Sequence, residues 1–395
     1  MDHAVIVDAL RTPFGKFGGM LRDYSAVELG AHVTSALLKR TGVSAEEVEE
    51  TYYGTAVLAS STLVVARQIG IKAGLPTNTP SLTVDRACCS SMTAIGLADR
   101  RIRLGEAKVI VSGGVESCSR TPFLQHGTRW GHRLGDFNIE DPLQFRNPIT
   151  GTPLARVTGE VAVDHGVSRE EQDDWAFESH QKFFRALDRG YFVDEVVPMS
   201  AEPSADGSDI AVDESPRRGL KRARLSELPT VYGSPTVTAG NAPGLNDGAS
   251  AALIMSSEEA QRRALPSLCE IVGYVQLAGP LDSSPYLPGR AIARALSIAE
   301  VPLKELKGIE INEAFAAMPL VSTKVLSDYD CRRLKHLRAI TNMNGGAVAL
   351  GHPTGASGAR LVMTLARAVR EAGGGFGVAA ICGGFGQADA LLIRV

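Results

Sequence analysis

The 395-residue sequence has no surplus of either charge: 41 Lys and Arg stand against 44 Asp and Glu, a formal net charge of −3. A nucleic-acid or polyanion surface announces itself as a basic excess, so no nucleic-acid partner is expected. No run of about 18 apolar residues occurs, so no membrane-spanning helix is expected either. The six cysteines show no Cys-x-x-Cys spacing and no His-rich company, which gives no metal site. A phosphate loop and a Gly-x-Ser-x-Gly elbow are both absent. The one dinucleotide-like pattern, from Gly375 to Ala380, precedes a strand rather than following one. The first residues enter a strand-like pattern without a basic n-region, and the last four, Leu-Ile-Arg-Val, are not a peroxisomal address. On that reading the expected compartment is the cytosol, with the cysteines kept as thiols.

What the sequence does have is glycine, 41 residues, clustered at 113–114, 345–346, 373–375 and 383–386, where backbone turns tightly or approaches a ligand. Apolar runs at 4–8, 109–111, 250–254, 309–311, 377–381 and 390–393 predict buried strands, and helix-length segments at 26–39, 90–104, 290–299 and 358–370 lie between them. This alternation predicts an α/β fold with a largely parallel sheet. At 395 residues, two packed units are expected rather than one. The halves also resemble each other. Val43–Val48 with Tyr53-Gly54 matches Val301–Leu306 with Ile311-Asn312 at a constant offset of 258. A helix opening at 88–91 and leading to Gly113-Gly114 has its counterpart in one opening at 355–358 and leading to Gly383-Gly384. Residues 119–245 lack a counterpart and read as an insertion. Within it, Ser168 and Glu171 form a capping box and Gly190 closes the helix they start. The polar stretch 200–230 reads as a surface loop.

Chemistry can sit at four places. Cys88-Cys89-Ser90-Ser91 follows a strand and opens a helix, whose N-terminal dipole favours thiolate; two small buried hydrophobes explain the pair equally well. His352 stands in a Gly/Pro-rich turn, Gly351-His-Pro-Thr-Gly355, where a base for a thiol is useful but where a surface histidine is also ordinary. Cys382 precedes Gly383-Gly384, a turn whose N–H groups can face a ligand or can simply turn. Asn312-Glu313-Ala314-Phe315 ends another strand, where α/β sheets meet ligands and where a plain helix cap also fits.

Taken together, these segments resemble the thiolase family along the whole chain. The resemblance is carried by Val84-Asp-Arg-Ala-Cys88-Cys-Ser-Ser-Met92, Ser112-Gly-Gly-Val-Glu116-Ser, Thr238-Ala-Gly-Asn-Ala-Pro-Gly-Leu-Asn-Asp-Gly248, Asn312-Glu-Ala-Phe315, Gly345–Gly358 and Cys382-Gly-Gly-Phe-Gly386. It implies two related βαβαβ halves, 1–268 and 269–395, in a five-layered α/β/α/β/α arrangement with an inserted loop domain at about 119–245. It also implies an acyltransferase: Cys88 carries the acyl group, His352 takes its proton, and Cys382 moves the proton of the α-carbon. His352 and a water on Asn312 would form one oxyanion hole, and the N–H groups of Cys88 and Gly384 the other. Coenzyme A and acyl-CoA are the implied substrates and partners, with no covalently bound cofactor. Arg217, Pro243, Ala314 and Phe315 are the implied CoA contacts, a homotetramer or homodimer the implied assembly, and lipid metabolism the implied setting. A ketoacyl-synthase-like condensing enzyme and a non-catalytic acyl-CoA-binding homologue are the rivals; the second thiol, Cys382, counts against the first, and the intact Cys88, His352 and Cys382 count against the second. The sequence departs from the family at Leu154-Ala155-Arg156 (usually His-Met-Gly), at Pro243 (a serine), at Phe385 (a third glycine) and at Asp85 (Asn).

Overall fold

The computed structural model describes residues 3–58, 63–200 and 209–395. Its strands are β1 (Ala4–Arg11), β2 (Gly15–Lys16), β3 (Glu50–Gly54), β4 (Ser81–Val84), β5 (Val109–Ser117), β6 (Asn246–Ser256), β7 (Cys269–Ala278), β8 (Leu306–Ile311), β9 (Phe376–Cys382) and β10 (Gln387–Arg394). Their order is β4-β3-β5-β6-β1-β7-β10-β9-β8, with β2 on β6. Read outward from the β1–β7 joint, the two halves have one topology. Among the described residues β2 has no counterpart in the second half, and that half also lacks a partner of β8 that would match β4. Thr341 stands there, making a single parallel bridge to Ile309. The internal repeat in the sequence is thus a repeat of strand order.

The expectation of a largely parallel sheet holds only for β3 with β4 and β5, and for β8 with β9; the remaining pairs are antiparallel. The C-terminal hairpin β9–β10 explains why: a short connection can only reverse direction, whereas parallel neighbours need a crossover. The halves meet at two antiparallel pairs, Val5 with Glu270 and Ile6 with Cys269.

Side-chain alternation along the strands builds the layers. On β5, Val109 and Val111 point to an outer core with α1 (Ala26–Thr41) and α2 (Val65–Lys72), while Ile110 points to a central core. On β10, Leu391 and Ile393 join that same central core, and Ala390 and Leu392 face the other way, toward α8 (Leu287–Ile298), α9 (Ala317–Leu326) and α10 (Cys331–Ala339). The central core is filled by α3 (Ser90–Arg103) and α12 (Ser357–Glu371), one helix from each half. This gives five layers. A helix between two sheets has no solvent face and must be apolar all round; α12 is buried at twelve positions from Ser357 to Val369, and its one buried cation, Arg360, pairs with Glu310 of β8 at 3.2 Å.

The insertion carries α4 (Leu154–Asp164), α5 (Arg169–Asp188) and α6 (Arg222–Ser226); α7 (Ser257–Arg262) and α11 (Ala347–Leu350) are short connectors. α5 begins at the Ser168/Glu171 capping box, and Gly190 has φ 77° just past its end. The polar stretch 200–230 is more than a solvated loop; its part 201–208 lies outside the described residues. Fully buried Arg11 donates from Nε to Glu195 at 2.6 Å and from Nη1 and Nη2 to Asp213 at 2.6 and 2.9 Å. The strap around Asp213 is thereby tied to β1. Polar composition hid this, because the charges are used internally.

Candidate active site

β4 and α3 are joined by five residues, and the chain turns there through Ala87, whose φ of 49° lies in the left-handed region. A non-glycine residue in that region costs ~1–2 kcal/mol, and the cost is met by local hydrogen bonds: Asp85 Oδ1 accepts from Ala87 N–H at 2.9 Å, and Ser90 Oγ accepts from Arg86 N–H at 2.9 Å. An Asn at 85 would offer the same acceptor, so that departure leaves the turn intact. The turn places Cys88 just ahead of the positive end of α3.

The two vicinal thiols part company here. Cys88 is partly exposed, whereas Cys89 is fully buried and directs its Sγ to the carbonyl of Ile381 at 3.3 Å. Cys88 Sγ lies 3.3 Å from His352 Nε2, and Asn312 Nδ2 lies 3.3 Å from the same nitrogen. On the other side of the ring, Nδ1 meets Ser357 Oγ at 2.7 Å, and Ser357 donates to Pro353 O at 2.9 Å. Since the Ser357 hydrogen is committed to Pro353, the network assigns the proton of the ring to Nδ1, leaving Nε2 as the acceptor that faces Cys88. Burial pushes the imidazole down to about 3, with Arg360 adding to the effect. The base is therefore neutral at rest.

Both thiols are protonated at rest. Burial pushes Cys88 well up, and the neighbouring Cys382 and Glu116 add to it. Burial pushes Cys382 up to about 11, opposed by the N–H of Gly384, which points at its sulfur. Gly384, at φ 62°, follows Cys382 at the end of β9. Asn312 is buried with no hydrogen-bond partner on its Oδ1.

Three supporting residues carry the His352 turn and had no role assigned from sequence. Asn246 at the start of β6 accepts from His352 N–H at 2.8 Å. Ser357 fixes the tautomer. Glu116, fully buried at the end of β5, accepts from Gly355 N–H at 2.9 Å and from Thr354 Oγ1 at 2.5 Å. Polar residues at strand ends and helix starts were the available signal, but nothing in the sequence says which side chain turns inward.

The residues that the family resemblance implies as CoA contacts are Arg217, Pro243, Ala314 and Phe315. Leu245, two residues after Pro243, bridges in parallel to His352. Ala314 and Phe315 lie between β8 and α9, and Ala316 N–H donates to Asn241 O at 2.9 Å. Of the five cations at 217–224, Arg218 pairs with Asp188, Arg222 with Asp174 and Arg224 with Glu227. Arg217 is exposed, makes no ion pair among the described residues, and is held through its N–H to His180 Nδ1 at 3.2 Å. No group of metal-ligating side chains occurs among the described residues.

The comparison with known families closes the question of lineage. The description "Thiolase, N-terminal domain" matches residues 4–258, and "Thiolase, C-terminal domain" matches 265–395. The chain belongs to the thiolase family. This thiolase is 38% identical over 399 residues to a probable acetyl-CoA acetyltransferase of Mycobacterium leprae, covering 100% of both chains. It is 40% identical over 413 residues to a beta-ketoadipyl-CoA thiolase of Acinetobacter baylyi, again covering 100% of each. The crystal structure of human mitochondrial 3-ketoacyl-CoA thiolase in complex with CoA superposes at TM-score 0.93 and 36% identity, covering 100% of this chain and 98% of that one. As a member of this family the protein is an acyltransferase of the thiolase type.

Proposed function

We propose that this thiolase cleaves and forms short-to-medium 3-ketoacyl-CoA, using coenzyme A as acyl acceptor and donor, with acetoacetyl-CoA accepted but not exclusive. The observation that carries the reading is Cys88 Sγ at 3.3 Å from His352 Nε2, with Cys382 near enough to Cys88 to push its thiol up, and burial keeping both thiols protonated and the imidazole neutral. These resting states run thiolysis directly. Cys88 gives its proton to Nε2 and its sulfur attacks the 3-keto carbon. The bond between C2 and C3 breaks, and the enolate leaving with CoA takes the proton of Cys382. Cys382, now a thiolate, takes the proton of an incoming CoA thiol. That thiolate attacks the acyl-Cys88 thioester, and the departing Cys88 sulfur recovers its proton from His352. Every group ends as it began, so condensation is the same path reversed. Both tetrahedral oxyanions need donors; removing one typically costs ~10²–10³ in rate.

Arg217 is exposed and makes no ion pair among the described residues, a state that suits a contact to CoA; guanidinium stacks on planar rings. The assembly we propose is a homodimer or homotetramer. It is supported by the insertion's exposed Phe123, Trp130, Leu134 and Ile149 (69, 87, 93 and 78% exposed), apolar side chains that a second copy would cover. We further propose the cytosol as its compartment, on the six thiols.

The test is thiolysis of C4, C6 and C8 3-ketoacyl-CoAs, followed by loss of thioester-enolate absorbance. Turnover of all three supports the reading. No turnover of any would leave an acyl-CoA-binding protein without catalysis.

A further inference from the structure

The two thiols belong to different halves of the chain, Cys88 before α3 and Cys382 at the end of β9, and one side chain bridges the loops that carry them. Arg86, two residues ahead of Cys88, spreads its guanidinium over the start of β10. Nε and Nη2 donate to Gln387 Oε1 at 3.3 and 3.0 Å, and Nη1 donates to Asp389 Oδ1 at 2.5 Å and to Thr93 Oγ1 at 3.2 Å. Asp389 is fully buried and also accepts from Thr93 of α3 at 2.6 Å and from the Tyr274 hydroxyl of β7 at 2.5 Å. Gln387, the residue that Arg86 grips, closes the connection that follows Cys382: Gly383 N–H donates to its carbonyl at 2.8 Å, and its own N–H donates to Gly384 O at 3.2 Å. The backbone of Arg86 enters the same contact. Its carbonyl accepts from Cys89 N–H at 3.2 Å, and a Cβ on Gly383 would lie 3.0 Å from that carbonyl and 2.9 Å from Cys89 Sγ. There is no slack between the two loops.

With its charge matched by Asp389, the arginine acts by geometry. The principal charges felt by Cys88 are those of Cys382, Glu116 and Asp85. We propose that Arg86 is a positioning residue that sets the spacing between Cys88 and Cys382, through its grip on Gln387 and Asp389. The proposal rests on the reading above, in which these two thiols are the reacting pair. A planar fork with five donors suits the task, since it engages Gln387 and Asp389 at once; lysine has the charge without the fork. Acylation of Cys88 by acetyl-CoA, in which CoA is the leaving group, needs only the N-terminal loop and His352; acylation by a 3-ketoacyl-CoA also needs the Cys382 proton. Turnover needs Cys382 at the right distance from the acyl group, and a misplacement of about 1 Å can cost ~10²-fold.

The experiment separates the half-reaction from turnover. Arg86→Gln, Arg86→Lys, Gln387→Ala and the double variant Arg86→Gln/Gln387→Ala are compared with wild type. The readouts are the rate of acyl-adduct formation from acetyl-CoA by intact mass, and kcat and KM for CoA in thiolysis of acetoacetyl-CoA. We expect Arg86→Gln and Arg86→Lys to lose about 30–100-fold in kcat, with KM for CoA and the acylation rate within threefold of wild type. We expect Gln387→Ala to lose about tenfold, and the double variant to lose no more than Arg86→Gln alone. Losses that multiply, an acylation rate that falls as far as kcat, or a kcat left intact would each overturn the proposal. Should Arg86→Gln fail to fold, Gln387→Ala keeps the Arg86–Asp389 pair and decides by the same split. Absence of an acyl adduct in wild type would instead overturn the underlying assignment of Cys88.

Discussion

Glu116 and Gly355 belong to opposite halves of the chain, and the carboxylate of the first accepts the N–H of the second at 2.9 Å. The halves are closely packed here: a Cβ on Gly114 would lie 2.0 Å from the carbonyl of Gly355. Glu116 also accepts from Ala56 N–H at 3.0 Å and from Val57 N–H and Thr55 Oγ1 at 3.2 Å each. A single buried carboxylate thus holds the end of β3 and the turn that presents His352. Burial raises its pKa, against the pull of Thr354 and three N–H groups.

Truncation there should be severe. Glu116→Ala leaves several buried donors unpaired at about 1–3 kcal/mol each, and we expect little soluble protein. Glu116→Gln retains one accepting oxygen; it should fold with a lower urea midpoint and a kcat reduced about tenfold. Urea unfolding alongside steady-state kinetics checks this, and a Gln variant equal to wild type in both would remove Glu116 from the support of His352.

The two thiols should fail differently. Cys88→Ser replaces the nucleophile by a hydroxyl of ordinary pKa and should yield no acyl adduct. Cys382→Ser should still acylate, because His352 serves Cys88, but should not turn over. Intact-mass measurement after mixing with acetyl-CoA distinguishes them, and an adduct on Cys88→Ser with none on Cys382→Ser would exchange the two roles. Cys89→Ala should keep most activity, since that thiol faces Ile381 rather than His352.

How much of this was legible in the sequence varies with the kind of interaction. The strands marked by apolar runs and the helix-length segments between them were legible, whereas β3 and β7, which carry polar residues such as Glu50 and Glu270, and the helices α2, α9 and α10 were not. The repeat was legible too, in the constant offset of 258 that carries Val43–Val48 and Tyr53-Gly54 onto Val301–Leu306 and Ile311-Asn312. Strand direction was not, because apolar runs such as 377–381 and 390–393 look alike whichever way they run. Cys88, His352, Asn312 and Cys382 were legible as a set through the family resemblance; their own local patterns each had an ordinary structural explanation. Asn246, Ser357 and Arg86 went unassigned for a physical reason. Their work is done by side-chain direction across 106, 5 and 301 residues of chain, and direction is a property of the packed core.

The neutral state of His352 has a pH consequence. In the unfolded chain its imidazole takes a proton near pH ~6.5, whereas in the folded chain it does so only at about 3. Between those values the unfolded state binds more protons, so stability is present above pH ~6.5 and is lost as pH falls toward 3. His180, pushed down to about 4 by burial and Arg217, adds in the same sense. We expect His352→Asn to lose less stability than wild type between pH 7 and pH 4.5, by about 2–3 kcal/mol, measured by urea unfolding. In wild type the acid limb of kcat/KM should show no inflection near pH 6.5. An inflection there would mean that the free enzyme's imidazole is charged.

We expect acyl specificity to turn on Phe385 and Ala155. Phe385 has φ 49° between Gly384 at 62° and Gly386 at 72°, so three successive residues are left-handed and the middle one is the only one with a Cβ. That conformation costs an L-residue ~1–2 kcal/mol, and strain of this kind persists where the side chain serves the site. Phe385→Gly removes both the strain and half-buried bulk three residues from Cys382. Ala155 is buried near the start of α4, where the family usually carries Met; Ala155→Met adds bulk. The two substitutions should therefore move the chain-length profile in opposite directions. Each methylene accommodated is worth about 0.8 kcal/mol, several-fold in rate. Phe385→Gly should raise the C8-to-C4 ratio of kcat/KM several-fold without lowering Tm, and Ala155→Met should reduce it. If neither substitution shifts the ratio, neither side chain borders the acyl chain, and the relief of strain alone would show as a higher Tm in Phe385→Gly.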